Sequence, residues 1–141
     1  MRVSEDIRKI KPYVPGKPIE ETKRELGLSD VYKLASNENP LGPSPLALKA
    51  ILRELSELNR YPDGSCFALR QRLAKHYKVE PDWLFFGNGS DEIIDILIHT
   101  FCDDGDSIMT SHGAFSSYKI AGQAARKRVV EVPMGPGFRF N

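Results

Sequence analysis

Apolar residues recur at intervals of three and four positions in several stretches of this chain, which predicts a series of amphipathic helices. Capping residues, glycines and prolines set their ends. The predicted helices are Ile19–Leu26, closed by Gly27; a run through Leu48, Ile51, Leu52 and Leu55 that begins at Pro45 behind Ser44; a run through Leu69, Leu73 and Tyr77 capped by Ser65; a run from Ile93 to Phe101 behind Ser90 and Asp91; and Ala114–Arg126.

Short apolar runs between these helices predict strands. They are Tyr32–Ala35, Trp83–Phe86, Ser107–Thr110 and Arg128–Val132. Strands that alternate with helices are typical of an α/β protein with a parallel sheet.

Irregular segments separate these elements. Three prolines in Lys11–Pro18 each remove a backbone donor and fix φ, so this segment should be an extended arm. Ser36–Pro43 is a polar loop that prolines interrupt, and Tyr61–Gly64 and Asp103–Asp106 have the composition of turns.

Composition narrows the class of protein. The chain has 141 residues, of which 40% are hydrophobic and 28% charged, and its net charge is +1. These values are ordinary for a globular protein and give no electrostatic reason to expect nucleic acid or a membrane as a partner. Cys66 and Cys102 lie far apart without metal-ligand spacing, so free thiols and no metal are expected. The first residues lack a signal-peptide pattern and no apolar run could cross a bilayer, so the expected compartment is the cytoplasm.

The most informative stretch is the glycine turn that follows Trp83–Phe86. Gly87 and Gly89 permit a tight turn that a ligand can approach closely. Ser90 and Asp91 then begin a helix, whose first backbone N–H groups suit a phosphate. A capped turn without any ligand is the alternative that these residues leave open.

Four motifs in order carry a family resemblance. They are Lys33-Leu-Ala-Ser-Asn-Glu-Asn-Pro-Leu-Gly-Pro43, Asn59-Arg-Tyr-Pro-Asp63, Gly87-Asn-Gly-Ser-Asp-Glu92 and Phe115-Ser-Ser-Tyr118. Nearly all of the segment from Tyr13 to Met134 resembles the N-terminal part of the histidinol-phosphate aminotransferases. These are pyridoxal-phosphate enzymes of fold type I, with a seven-stranded, mostly parallel large-domain sheet and a smaller domain. The resemblance therefore implies an α/β fold, of which this chain supplies a truncated part: the arm and the first strands and helices of the sheet.

The resemblance also implies the cofactor-binding residues. Gly89, Ser90 and Asp91 match the turn that holds the phosphate of pyridoxal 5'-phosphate through backbone N–H groups. Phe115 matches an aromatic residue that stacks on the pyridine ring and is a tyrosine in many relatives. Tyr61 matches a tyrosine that reaches the phosphate of the neighbouring subunit, which implies a homodimer. A core phenylalanine and a turn tyrosine are the alternatives for the last two.

On the substrate side, Tyr13 matches a tyrosine near the substrate side chain, and Asn37 and Asn39 match the loop that lines the substrate pocket. A mobile arm is the alternative for Tyr13. His112 stands where the family commonly has a proline-rich approach to the aromatic residue, and a solvated loop histidine is its expected role.

The Schiff-base lysine is missing from the matching context. In the family it lies far downstream, after an asparagine and an aspartate that grip the ring, and this chain ends at Asn141. No catalytic residue is therefore assigned, and the chain is expected to be a fragment or truncated product that is inactive alone. Residues 1–43 are expected to form the arm and substrate-side loop, and 44–141 an incomplete portion of the aminotransferase fold.

The function implied is amino transfer between L-histidinol phosphate or imidazole-acetol phosphate and glutamate or 2-oxoglutarate, in histidine biosynthesis. Two alternatives stay open. One is a related aromatic aminotransferase or a threonine-phosphate decarboxylase, and the other is a non-catalytic remnant.

Overall fold

The computed structural model describes residues 3–140. They form two compact units: one holds the described residues up to Tyr13 together with those from Asp82 onward, and the other holds Val14–Pro81. The elements are α1 (Glu5–Lys9), α2 (Ile19–Leu26), α3 (Pro45–Glu54), α4 (Phe67–Tyr77), α5 (Gly89–Phe101), β1 (Ser107–Ser111), α6 (Ser116–Ala124) and β2 (Arg128–Val132). Short 3-10 helices cover Leu55–Glu57 and Pro81–Trp83.

The sheet of the first unit is a parallel pair. β1 lies beside β2, with Ser107 opposite Arg128 and Ser111 opposite Val132. Because parallel neighbours need a long crossover, α6 runs between them and packs against both strands. The predicted α/β architecture with a parallel sheet is confirmed for this part of the fold.

The core of the first unit lies between α5, α6 and the sheet. Ile94 and Ile98 on α5 are buried, and α5 packs against α6. Gly122 lets α6 approach the sheet, since a Cβ added there would lie 2.9 Å from Cγ2 of Val129. A larger residue at this position would therefore push the helix away from the strands.

The second unit contains α2, α3 and α4, and punctuation residues set their ends. Gly27 ends α2 in the left-handed conformation, at φ +64°. Pro45 begins α3 behind Ser44, as predicted. The apolar face of α3 stays exposed: Ile51 and Leu52 keep 59% and 68% of their accessible surface. An apolar helix face is normally buried against another element, and within the second unit this face of α3 is not.

Two predicted strands are wrong. Residues 81–83 form a 3-10 helix and residues 84–88 have no regular structure, while Tyr32–Ala35 is irregular as well. Trp83 and Phe85 are 77% and 66% exposed, so the apolar run is not a buried strand. A strand requires a neighbour that completes its hydrogen-bond ladder, and within residues 3–140 only β1 and β2 form such a sheet.

Two predicted helix starts also need correction. Ser65 does not cap α4, because the N-cap is Cys66 in a left-handed conformation and the helix begins at Phe67. α5 begins at Gly89 behind Asn88, so Ser90 and Asp91 lie in its first turn rather than before it. α6 is shorter than predicted.

The division of the chain into an arm with substrate-side loop, residues 1–43, and a portion of the aminotransferase fold, residues 44–141, stays a prediction. Among the described residues, no helix is long and apolar enough to span a membrane.

Candidate functional site

The glycine turn at the start of α5 presents backbone donors to open space. Gly89 has φ +80°, a conformation that residues with a side chain rarely adopt. A Cβ added at Gly89 would meet no atom within 4 Å, so the space beside the turn is open. Ser90 and Asp91 follow in the first turn of α5, where N–H groups have no acceptor within the helix. The turn therefore fits an anionic group that approaches its backbone.

The N–H of Gly89 has another role. It donates to the carbonyl oxygen of Gly87 at 2.9 Å, closing the turn. Gly89 therefore contributes backbone shape, while the first-turn N–H groups of Ser90 and Asp91, which have no acceptor within the helix, are the candidate donors.

Glu92 connects this turn to the helix through hydrogen bonds. Its carboxylate accepts a hydrogen bond from the backbone N–H of Asn88 and another, at 3.0 Å, from the side-chain amide of Asn88. This bond resembles the returning bond of a capping box, which satisfies a donor at the N-cap. The turn is thus held by side chains as well as by its glycines.

Aromatic rings cluster after the end of β1. Phe115 is the N-cap of α6 and is 44% exposed. The Tyr13 ring meets it edge to face, with centroids 6.1 Å apart and planes at 76°. Tyr118 meets Phe115 from another side, with centroids 6.4 Å apart. Phe115 is held by two edge contacts and keeps part of its surface open for stacking.

His112 lies in the turn between β1 and Phe115. Its backbone N–H donates to the carbonyl oxygen of Val132, which continues the ladder past β1. The hydrogen bond from Lys119 holds the pKa of the nearby Glu131 below its usual range, and the charges of Lys119 and His112 act in the same direction against burial. His112 itself is exposed, as expected of a loop histidine.

The two asparagines of the Ser36–Pro43 loop have different roles. The Oδ1 of Asn39 accepts the N–H of Leu41 at 3.0 Å, and its Nδ2 donates to the carbonyl oxygen of Gly42 at 3.3 Å. Asn39 is therefore engaged in its own turn. The side chain of Asn37 makes no hydrogen bond to any residue within 3–140.

The loop has a left-handed backbone at two residues. Ser36 and Asn37 have φ values of +68° and +52°; this conformation costs a serine roughly 1–2 kcal/mol, whereas an asparagine adopts it more readily. Lys33 and Glu38 flank the pair and form an ion pair, with Nζ and Oε1 2.6 Å apart. A cavity of about 460 Å³ borders this loop, and its lining includes Ile19, Lys33, Asn37 and Asn39.

Tyr61 projects from the connection between α3 and α4 and is fully exposed. The anchor of this connection is Asp63. Its carboxylate accepts hydrogen bonds from the hydroxyl and N–H of Ser65 and, at 3.0 Å, from the N–H of Phe67. Asp63, two residues before the predicted cap, thus stabilises the start of α4.

These bonds predict a loss of stability in acid. The hydrogen bond from the Ser65 hydroxyl, followed by those from the N–H groups of Phe67 and Ser65, lowers the pKa of Asp63 below its ordinary 3.8. The stabilisation is present above that ordinary value and disappears as the pH falls through the lower, folded-state pKa. Urea unfolding between ~pH 5 and ~pH 2 should show this loss, and Asp63→Asn should diminish it. An identical acid dependence in that variant would contradict the role of Asp63.

The structure brings some candidate residues together and leaves others separate. Tyr13 contacts Phe115, and Gly89, Ser90 and Asp91 share one turn, whereas Asn37, Asn39 and Tyr61 belong to the second unit. A cavity of about 340 Å³ beside β1 is lined by residues such as Ser111, Ala114 and Tyr118, and by none of the predicted cofactor-binding residues.

Sequence reasoning missed four supporting residues: Lys33, Glu38, Asp63 and Glu92. Only Asp63 carried a clear signal, since an aspartate before Gly-Ser commonly bonds the backbone two residues on.

Comparisons with known proteins agree with the family resemblance that the four sequence motifs carry. Residues 29–140 match the family model of the class I and II aminotransferases. A histidinol-phosphate aminotransferase from Bdellovibrio bacteriovorus is 48% identical over all 141 residues, which cover 38% of that protein. One from Moorella thermoacetica is 50% identical over 129 residues, covering 92% of this chain and 33% of that protein.

The fold has a solved counterpart. The crystal structure of histidinol-phosphate aminotransferase from Sinorhizobium meliloti in complex with pyridoxal-5'-phosphate matches 96% of this chain with a TM-score of 0.79, at 24% identity. The match covers 35% of that structure, so the chain spans about a third of the length of its relatives. The predicted fold class is confirmed, and the chain belongs to the class I and II aminotransferase family.

Proposed function

We propose that the protein carrying this chain is a histidinol-phosphate transaminase that depends on pyridoxal 5'-phosphate. It transfers an amino group between L-histidinol phosphate or imidazole-acetol phosphate and glutamate or 2-oxoglutarate. The observation that carries this proposal is the 48% identity to a histidinol-phosphate aminotransferase along the entire chain. Membership of the family itself implies pyridoxal-phosphate dependence.

The start of α5 would hold the cofactor phosphate. The N–H groups of Ser90 and Asp91 would donate to its oxygens, and the positive end of the helix dipole would favour its charge. Gly89 would keep the turn in its left-handed shape and free of a side chain. The open space beside Gly89 supports this assignment.

Phe115 would lie against the cofactor ring. Pyridoxal phosphate, when bound, supplies an electron sink that stabilises negative charge on the substrate carbon. Phe115 can stack on a ring but has no hydroxyl with which to bond it. Tyr13, through its edge contact with Phe115, would hold that ring in place and put a hydroxyl near the substrate.

The loop from Ser36 to Pro43 would contact the substrate. Asn39 is occupied with the turn, so the amide of Asn37 is the better candidate for a direct hydrogen bond. An amide can both donate and accept, which suits a polar substrate.

The lysine that moves protons would have to come from outside these 141 residues. Lys119 stands three residues after Ser116, which is the spacing of the family's Ser-x-x-Lys, but it lies on α6 rather than in the matching context. Its ammonium is paired with Glu131 at 2.6 Å. Lys119 is therefore better explained as a structural residue.

A chimera tests the proposed function. In this chimera, our chain replaces the matching segment of the Bdellovibrio bacteriovorus enzyme. It should transaminate histidinol phosphate faster than aromatic amino acids, and it should not decarboxylate threonine phosphate. A folded chimera that prefers either alternative substrate would reject the proposal in favour of that activity.

Tyr61 should reach the cofactor phosphate of the neighbouring subunit. In the chimera, Tyr61→Phe should then weaken cofactor binding about tenfold, since a hydrogen bond to a charged group contributes roughly 1.5–3 kcal/mol. The control is Tyr77→Phe, which alters another exposed tyrosine and should leave the affinity unchanged. Cofactor titration measures the affinity of both variants. If they bind the cofactor equally well, Tyr61 does not contact its phosphate.

Mixing experiments test the homodimer. One chimera carries Tyr61→Ala and the other lacks the lysine contributed by the Bdellovibrio segment. At a cofactor concentration where each is inactive, mixed dimers should recover activity, because one of their two sites then carries neither defect. Mixed dimers without activity would show that Tyr61 does not act across subunits.

A further inference from the structure

The ion pair between Lys33 and Glu38 joins the two sides of the Ser36-Asn37 turn. Its two residues flank Ser36 and Asn37, which both have left-handed backbones. The Lys33 side chain is only 14% exposed although Glu38 is 56% exposed. A mostly enclosed ammonium is poorly screened by salt, and removal of its partner would leave an uncompensated charge.

The extended arm closes the other side of the same loop. A Cβ added at Gly16 would collide with the hydroxyl of Ser36 and lie 3.7 Å from Cε of Lys33. The arm thus passes directly beside the Ser36 side chain, and the loop lies between Gly16 and the ion pair. Strained conformations persist only where surrounding contacts determine them in this way.

Of the two asparagines in this loop, only Asn37 has a side chain without a hydrogen-bond partner among residues 3–140. The amide of Asn39 is used in its own turn, while the amide of Asn37 borders the cavity of about 460 Å³. Asn37 is also exposed, so its amide is accessible from that cavity.

We infer that the Lys33–Glu38 ion pair is a positioning pair, which presents the amide of Asn37 to the amino substrate. The inference rests on the proposed function for the identity of that substrate. Lys33 and Glu38 line the same cavity, and the role assigned to them is to fix the loop rather than to bond the substrate. They act through the backbone of Ser36 and Asn37.

Kinetics of the chimera test the action through Asn37. Lys33→Met, Glu38→Gln and Asn37→Ala should each raise the KM for histidinol phosphate about tenfold, with kcat and cofactor affinity changed less than about threefold. Lys33→Met added to Asn37→Ala should raise KM little further, because both changes remove the same contact. Reversal of the pair, Lys33→Glu with Glu38→Lys, should restore KM. Lys23→Met, which removes the Lys23–Glu20 pair on α2, is the matched control and should have no effect.

Hydrogen exchange tests the positioning without any activity. In the complete product of the gene, the backbone amides of residues 35–38 should exchange about tenfold faster in Lys33→Met than in the unaltered protein, and the reversed pair should slow them again. Additive KM changes in the double variant, or unchanged exchange in Lys33→Met, would overturn the inference. An unaltered chimera that does not accept histidinol phosphate would refute the proposed function instead, and the exchange result would still decide the positioning.

Discussion

Purified alone, the 141-residue chain is expected to show no transamination of histidinol phosphate. A positioned group that moves a proton contributes roughly 10²–10⁴-fold to a rate, and transaminases of this family use a lysine for it. None of the lysines in this chain lies in the matching context. The one with a similar spacing, Lys119, is paired with Glu131.

The same chain in the chimera should be active, because the remainder of the Bdellovibrio bacteriovorus enzyme supplies that lysine. Both proteins are assayed with histidinol phosphate and 2-oxoglutarate at saturating cofactor. Borohydride treatment should attach cofactor to the chimera and not to the chain alone. Turnover by the chain alone, or cofactor attached specifically at Lys119, would contradict the prediction. An inactive but folded chimera would count against the proposed function.

Elements with local signals could be predicted from the sequence. β1 and β2 were predicted to within one residue, because each is a β-branched or apolar run between polar turns. Gly27 ends a helix because a residue without a side chain adopts the left-handed conformation easily. Pro45 begins one because its ring fixes φ at a helical value. Such signals depend only on neighbouring residues and so survive in a partial fold.

The errors have two causes, one that depends on distant residues and one that depends on the choice between two nearby acceptors. Tyr32–Ala35 and Trp83–Phe86 have strand composition, but a strand also needs a neighbouring strand at the correct edge. The cap of α4 was assigned to the nearer hydroxyl of Ser65, whereas the carboxylate of Asp63 makes the bonds. A carboxylate accepts several N–H groups at once, which a single hydroxyl cannot match.

The candidate site also contains features that local sequence predicts and features that depend on how the chain folds. The motif around Gly89 indicated a turn with open donors, and its φ of +80° agrees with that expectation. Sequence could not tell Asn37 from Asn39, since both are loop asparagines two positions apart. Their difference lies in hydrogen bonds to Leu41 and Gly42, which depend on how the loop folds.

The second large effect is expected at Gly89. Gly89→Val forces a β-branched side chain into φ +80°, which costs of order 1–3 kcal/mol unless the backbone turns away. If the turn shifts, the N–H groups of Ser90 and Asp91 no longer have the geometry to donate to the phosphate. Each lost hydrogen bond to a charged phosphate costs roughly 1.5–3 kcal/mol, so cofactor affinity should fall at least about tenfold. Asp91→Pro, which removes one donor without this strain, should lower affinity as well.

Gly105 provides a matched control for Gly89. It has φ +91° in the turn of residues 103–106, and a Cβ added there would also meet nothing within 4 Å. Gly105→Val therefore introduces the same kind of backbone strain without a crowded neighbour. In the chimera, both variants should lose similar stability in urea unfolding, but only Gly89→Val should lose cofactor affinity in a titration. Equal affinities would mean that the turn at Gly89 is a capped helix start without a ligand, because strain that moves the turn must also move any phosphate bound by it.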